Sequence, residues 1–178
     1  GPSFTDHCVI TDAVLETLRA SVKFDPDHLP QELSVISAMR ETYTTAAHIA
    51  CFDTVFHNTL PRVSKIIPVP RRYMDAGLVR SGFHGLSYEH LMQHLEHVGH
   101  LDVHNRKIVL AHLGNGVSLA AVVNGKPVET TMSFTPASGI PMGTRSGDID
   151  PGLVEYFTRT LEFTAEDFDY MINFESGL

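Results

Sequence analysis

Four short segments concentrate the residues whose chemistry could matter. The densest, Met142-Gly143-Thr144-Arg145-Ser146-Gly147-Asp148-Ile149-Asp150, packs one guanidinium, two hydroxyls, two carboxylates and two glycines into nine residues. The planar Arg145 fork suits a carboxylate or the equatorial oxygens of a phosphoryl group in flight. Its plainer role is a loop staple to Asp148 or Asp150. In Gly82-Phe83-His84-Gly85 an imidazole sits on flexible backbone, where a ring N–H could stabilise developing charge. The glycines of Gly114-Asn115-Gly116 let backbone approach a ligand closely and leave N–H groups for phosphate oxygens, with Asn115 adding a side-chain donor. The same triplet also makes an ordinary turn, and no Gly-Lys-Ser/Thr follows it, so it is not a Walker loop. Phe52-Asp53-Thr54 ends an apolar run with a carboxylate that either faces a ligand, as strand ends do in α/β folds, or caps nearby backbone.

These segments need elements to hold them. Lys107 to His112 is an apolar strand and Val117 to Val123 a second, so His112 through Gly116 forms their connection. A third strand, Lys126 to Ser133, follows Asn124-Gly125, the strongest short hairpin signal because a type I′ turn needs φ > 0 at both central residues. Ser87 is placed to cap a helix through about His97, with Leu91, Leu95 and Val98 on one face. Asp150-Pro151 opens a helix to about Thr160 with the proline at its first position, and Thr164 with Asp167 forms a capping box for another. Upstream, Thr11 or Asp12 caps a helix whose apolar face is Val14, Leu15, Leu18 and Val22. The stretch from Pro26 to Pro30 breaks it, and an amphipathic segment follows from Gln31 to Thr42. Ala46 to Phe52 is expected as a buried strand delivering Asp53. Residues 61–82 carry Pro61, Pro68 and Pro70 and are expected as an irregular connection with one helical turn.

Composition excludes several classes. With 13 basic and 21 acidic residues the net charge is −8, against a nucleic-acid partner. No apolar run approaches the roughly 18 residues of a spanning helix, so no membrane partner is expected. Cys8 and Cys51 lie far apart without metal or disulfide spacing, which favours a reducing cytoplasm. The 11 histidines form no HExxH set. His90 and His94 could chelate at i, i+4, but no third ligand or acidic base accompanies them, and His90, His94 and His97 are expected on a solvated helix face.

In their order and spacing, Phe52-Asp53-Thr54-Val55-Phe56-His57, Gly82-Phe83-His84-Gly85, His112-Leu113-Gly114-Asn115-Gly116 and Phe134-Thr135-Pro136 through Met142 to Pro151 resemble the acetate kinase family. That family belongs to the acetate and sugar kinase, Hsc70 and actin superfamily. The resemblance implies an α/β fold of two duplicated, ribonuclease H-like lobes around a cleft. It implies reversible phosphoryl transfer from ATP to acetate with Mg²⁺, giving acetyl phosphate and ADP, in a homodimer formed through the second lobe. Carried over by position, Asp53 is the active-site aspartate, orienting a metal or polarising the acceptor, and His84 and Arg145 are transition-state stabilisers. His112, Leu113, Gly114, Asn115 and Gly116 form the nucleotide phosphate loop, and Phe83 and Pro136 wall the acetate pocket. No metal ligand is assigned. Family members are longer, and the family's metal-site asparagine and glutamate have no counterpart here. The chain is therefore expected to be an internal fragment, inactive alone, with residues 1–54 ending the first lobe and 55–178 opening the second. The alternatives are a propionate or butyrate kinase, or a noncatalytic binding or dimerisation module.

Overall fold

The computed structural model describes residues 4–22 and 28–178. Asn124 and Gly125 both hold positive φ, 51° and 78°, and close the hairpin between β4 (Val117–Val123) and β5 (Lys126–Thr130). On its other side β4 pairs antiparallel with β3 (Lys107–Leu113), giving a three-stranded sheet in the order β3-β4-β5. The β3–β4 register, Leu113 opposite Val117, leaves residues 114–116 as the hairpin tip. The third strand ends at Thr130 rather than Ser133, after a register irregularity between Ala121 and Val122 where the pairing with β5 shifts at Pro127, which has no ladder N–H.

The period of two decides which face of β4 is covered. Ser118, Ala120 and Val122 are buried on one side, and α5 (Gly85–His97) lies across them. Tyr88 joins Leu110, Ala120 and Val122 in one buried cluster, with Phe56, Leu91 and Leu95 packed around it. Phe56 belongs to a 3₁₀ turn, Val55–Thr59, that crosses the start of α5.

The N-terminal segment is built differently. β1 (Cys8–Val9) and β2 (Ile49–Ala50) form a two-stranded antiparallel pair. Between them lie α1 (Asp12–Ser21) and α2 (Leu29–Thr42). Thr11 caps α1 by accepting from the Val14 N–H at 3.3 Å, and Leu15 and Leu18 are its buried face. Pro26 lies outside the described residues, whereas Pro30 sits within the first turn of α2, where a missing N–H costs nothing. An Arg40–Asp12 ion pair at 3.0 Å ties the two helices. The buried strand expected over residues 46–52 is instead two residues long, with Ile49 60% exposed. Among the described residues β1 is its one partner, and no strand covers its other edge.

Residues 61–82 carry two short helices, α3 (Arg62–Lys65) and α4 (Arg71–Asp75), each opening just after a proline. α6 (Gly152–Thr160) starts one residue later than expected: Pro151 precedes it, and the Asp150 carboxylate accepts from Gly152 N–H at 2.8 Å. α7 (Ala165–Phe174) has the expected capping box, Thr164 accepting from Asp167 N–H and Asp167 from Thr164 N–H. His90, His94 and His97 are solvent-exposed, and no group of three His, Cys, Asp or Glu among the described residues could hold a metal ion.

Leu110 is 4% exposed at the centre of the α5–sheet contact. Leu110→Ala is expected to cost about 2–5 kcal/mol through the lost contacts and the cavity left behind. Urea unfolding measures this, and a loss below about 1 kcal/mol would mean that the cluster does not hold α5 to the sheet.

Candidate functional site

The site is assembled by the start of α5. His84 is the residue before the helix and adopts left-handed backbone, φ 61° and ψ 25°. Ser87, expected as the cap, lies inside the first turn. The capping group comes from across the chain: His84 N–H donates to Asp53 Oδ2 at 2.5 Å, Leu86 N–H to Asp53 Oδ1 at 3.3 Å, and Gly85 N–H to the Asp53 carbonyl at 2.8 Å. A carboxylate serves this place well because a helix N-terminus presents unpaired N–H groups and positive partial charge. Gly85 is required there, since a Cβ would collide with the Asp53 carbonyl.

So held, the His84 ring is constrained on three sides. Its Nδ1 lies 2.8 Å from Ser118 Oγ, which in turn lies 2.5 Å from Tyr88 Oη. Its face stacks on His112 with centroids 3.9 Å apart, and His112 Nδ1 meets the Ser87 hydroxyl at 3.0 Å. Its Nε2 faces the hairpin tip. A Cβ on Gly116 would stand 3.2 Å from His84 Nε2 and 3.1 Å from Arg145 Nη1, so the imidazole edge and the guanidinium converge on one bare stretch of backbone. Burial pushes the His84 pKa down, and His112, Arg145 and His57 push the same way, while Asp53 opposes them.

Arg145 arrives from the long loop after β5. Gly139 and Asp148 cross-brace that loop: Gly139 N–H donates to the Asp148 carboxylate and Asp148 N–H to the Gly139 carbonyl, both at 2.8 Å. Ser146 N–H donates to Ile172 O at 2.9 Å and the Thr144 hydroxyl to Asn173 O at 3.0 Å, fastening the loop to α7. The guanidinium makes no ion pair among the described residues. Nη1 donates to the Pro136 carbonyl at 3.4 Å and lies 3.9 Å from Met142 Sδ. Asp148 and Asp150 instead accept from backbone, so the loop-staple alternative for Arg145 does not occur.

The structure therefore gathers Asp53, His84, His112, Gly116 and Arg145, and brings Pro136 in through its carbonyl. Asn115 lies at the exposed tip, its Oδ1 3.4 Å from where a Gly143 Cβ would be. Leu113 is 76% exposed, and Gly114 is exposed beside the His112 ring. Phe83 is half-buried, and its carbonyl accepts from His57 Nε2 at 2.9 Å. Two concave regions lie elsewhere, one bordered by Asp12, Arg19 and Arg40, the other by Arg62, Ile66 and Met74.

Sequence reasoning missed Ser118, Tyr88 and His57. A signal existed for Ser118, which occupies the inward parity of β4 with Ala120 and Val122 and is thus a buried hydroxyl needing a partner. His57 is 1% exposed, with Nδ1 unpartnered.

By fold the chain is a partial actin-like α/β unit of the kind found in carboxylate kinases. It superposes on a propionate kinase from Francisella tularensis with a TM-score of 0.93 at 31% identity, covering 99% of this chain and 46% of that one. An acetate kinase from Porphyromonas gingivalis gives 0.91 at 31% identity, covering 99% and 45%. The acetokinase family model matches residues 1–178, and the chain belongs to that family. Acetate kinases from Microcystis aeruginosa and Nostoc punctiforme are 38% and 39% identical over the whole chain, which spans 44% of their length.

Burial lowers the His57 pKa from 6.5 against the opposing pull of the Phe83 carbonyl and Asp53. Between that lowered value and 6.5 the unfolded chain binds a proton the folded chain refuses, so stability falls as pH drops through this window. His57→Gln keeps a donor for Phe83 but cannot titrate. It is expected to flatten the stability–pH slope below 6.5 by up to about 1.4 kcal/mol per pH unit, read from denaturant midpoints. An unchanged slope would show that His57 is not the group refusing the proton.

Proposed function

We propose that this chain supplies part of the site for reversible phosphoryl transfer from ATP to acetate, giving acetyl phosphate and ADP. The observation that carries this reading is the convergence of Arg145 Nη1 and His84 Nε2 on Gly116, at 3.1 and 3.2 Å from where its Cβ would lie. An acetate oxygen attacks the γ-phosphorus, the bond to the β–γ bridging oxygen breaks, and ADP takes the electron pair. That reaction needs positioned charge more than covalent help. Arg145, which makes no ion pair among the described residues, offers its fork to the equatorial oxygens, and His84 adds a ring donor beside it. His112 through Gly116 hold the nucleotide phosphates, with Asn115 at the tip. Phe83 and Pro136 border the acetate. Asp53, each of whose carboxylate oxygens accepts one backbone N–H and keeps a second lone pair, fixes where His84 stands and orients the metal or polarises the acceptor.

The family's reaction is expected to use Mg²⁺. Among the described residues no three His, Cys, Asp or Glu group as a complete set of ligands, and Asp53, each oxygen accepting one backbone N–H, is the carboxylate at hand that would hold the ion together with water and substrate phosphates. None of the other roles above runs through the ion. In the same reading residues 1–54 close one lobe and 55–178 open the next, in a cytoplasmic homodimer, and turnover requires the remainder of a kinase of the relatives' length. Acetate is put before propionate because the curated relatives at 38–39% identity are acetate kinases, while among the solved structures a propionate kinase and an acetate kinase stand level at 31%.

In the full-length protein, Arg145→Ala is expected to lower kcat about 10²- to 10³-fold with little change in KM for ATP. Hydroxamate trapping of acetyl phosphate measures this, and an unchanged kcat would sink the assignment. The 178-residue chain alone is expected to give no hydroxamate. Heat on calorimetric titration with ATP would show that it keeps a nucleotide half-site, and no heat would favour a purely packing or dimerising segment.

A further inference from the structure

We propose that Tyr88 and Ser118 fix His84 as a neutral imidazole carrying its proton on Nε2, so that it meets the ligand beside Arg145 as a hydrogen-bond donor and not as a second cation. The argument is one of proton accounting. Tyr88 and Ser118 are both 0% exposed, so neither hydroxyl can hand its proton to water. The Tyr88 phenol, pushed above its ordinary pKa by burial, keeps its proton, and its hydroxyl faces Ser118 Oγ. The His112 backbone also near that oxygen stabilises the phenolate, as an N–H donor does, and takes no proton from it. Tyr88 therefore donates to Ser118. Ser118 has one proton of its own, and its remaining partner is His84 Nδ1, 2.8 Å away. A ring nitrogen that accepts a hydrogen bond carries no hydrogen, so the proton of the neutral ring sits on Nε2, the atom facing Gly116 and Arg145.

The opposite tautomer would reverse the chain, with Nδ1–H donating to Ser118 and Ser118 to Tyr88, and would leave the phenol proton with no acceptor. Orphaning a buried donor is costly enough to favour the first arrangement roughly tenfold. The surrounding charges agree. His112 stacks on the ring and Arg145 stands beside it, both opposing a proton, with burial the largest influence in that direction; Asp53, the one group favouring the cation, is itself engaged by α5. A neutral Nε2–H directs its donor at a phosphoryl oxygen without repelling Arg145, the division of labour seen wherever an imidazole polarises an oxygen in its neutral form. Ser118 and Tyr88 are thus positioning residues, acting through His84.

Only the identity of the ligand rests on the kinase reading. Nitrogen-15 NMR of the histidine rings in the chain, with His84 assigned by its loss in His84→Gln, reads the tautomer without turnover. The expected result from about pH 8 to pH 7 is an unprotonated Nδ1 and a protonated Nε2, the Nε2–H form at least about tenfold in excess. Tyr88→Phe, and separately Ser118→Ala, are each expected to let the Nδ1–H form appear, with backbone spectra confirming that the variants stay folded. A wild-type His84 that is Nδ1-protonated or an imidazolium at about pH 7, or a tautomer unmoved by both substitutions, would overturn the proposal. Failure of the full-length protein to make acetyl phosphate would sink the function instead and leave the tautomer result standing.

Discussion

The carboxylate of Asp53 on the first N–H groups of α5 is the contact on which the rest of the site depends. Helix starts leave unpaired donors, and burying this one against β4 makes an acceptor obligatory. Asp53 provides one oxygen to His84 N–H and the other to Leu86 N–H, while its carbonyl takes Gly85 N–H. Three consequences follow from one residue. α5 begins where it does, His84 is held in left-handed backbone with its ring turned toward the hairpin, and position 85 must lack a Cβ because two segments of main chain touch there. The Asp53 carboxylate sets this geometry, and the geometry places the imidazole.

A second constraint is steric economy at the hairpin tip. His84 and Arg145 come from elements 61 residues apart and could not both reach one stretch of backbone if that backbone bore a side chain. Gly116 removes the obstacle, since even a Cβ there would stand 3.1–3.2 Å from both side chains. Glycine also exposes peptide N–H groups, which a phosphate binds without needing an added charge. The loop that delivers Arg145 is irregular, yet its paired Gly139–Asp148 hydrogen bonds and its fastenings to α7 hold it without a strand or helix.

Much of this was legible in the sequence where local rules act alone. The Asn124-Gly125 turn, the span of β4, the Thr164/Asp167 box and the Thr11 cap are each fixed by residues a few positions apart, and each stands as those residues require. The misreadings share a cause: a distant partner changed the outcome. Ser87 is a good cap by type, but Asp53 already fills that place, and Ser87 turns to His112. The run from Ala46 to Phe52 has a strand's composition, but one short partner, β1, pairs with it. Tyr88 gave no signal in the sequence because its hydroxyl partner, Ser118, lies 30 residues on, in a strand of the sheet that α5 covers.

The acidic composition poses a final question, since a chain of net charge −8 would not be expected to draw a phosphate. Summed charge acts over distance and is screened within about 10 Å at ordinary salt, so the site is governed by what lies inside that radius. The carboxylates of the segments that build the site are answered by backbone: Asp53 by the start of α5, Asp148 by Gly139, Asp150 by Gly152. A carboxylate bound by N–H dipoles has part of its field cancelled at source. Arg145 makes no ion pair among the described residues, and its Nη1 is turned to the bare hairpin tip. The same negative charge that discourages a polyanion thus coexists with a local positive focus small enough for a single phosphoryl group, because the acidic side chains of those segments were recruited as caps and braces.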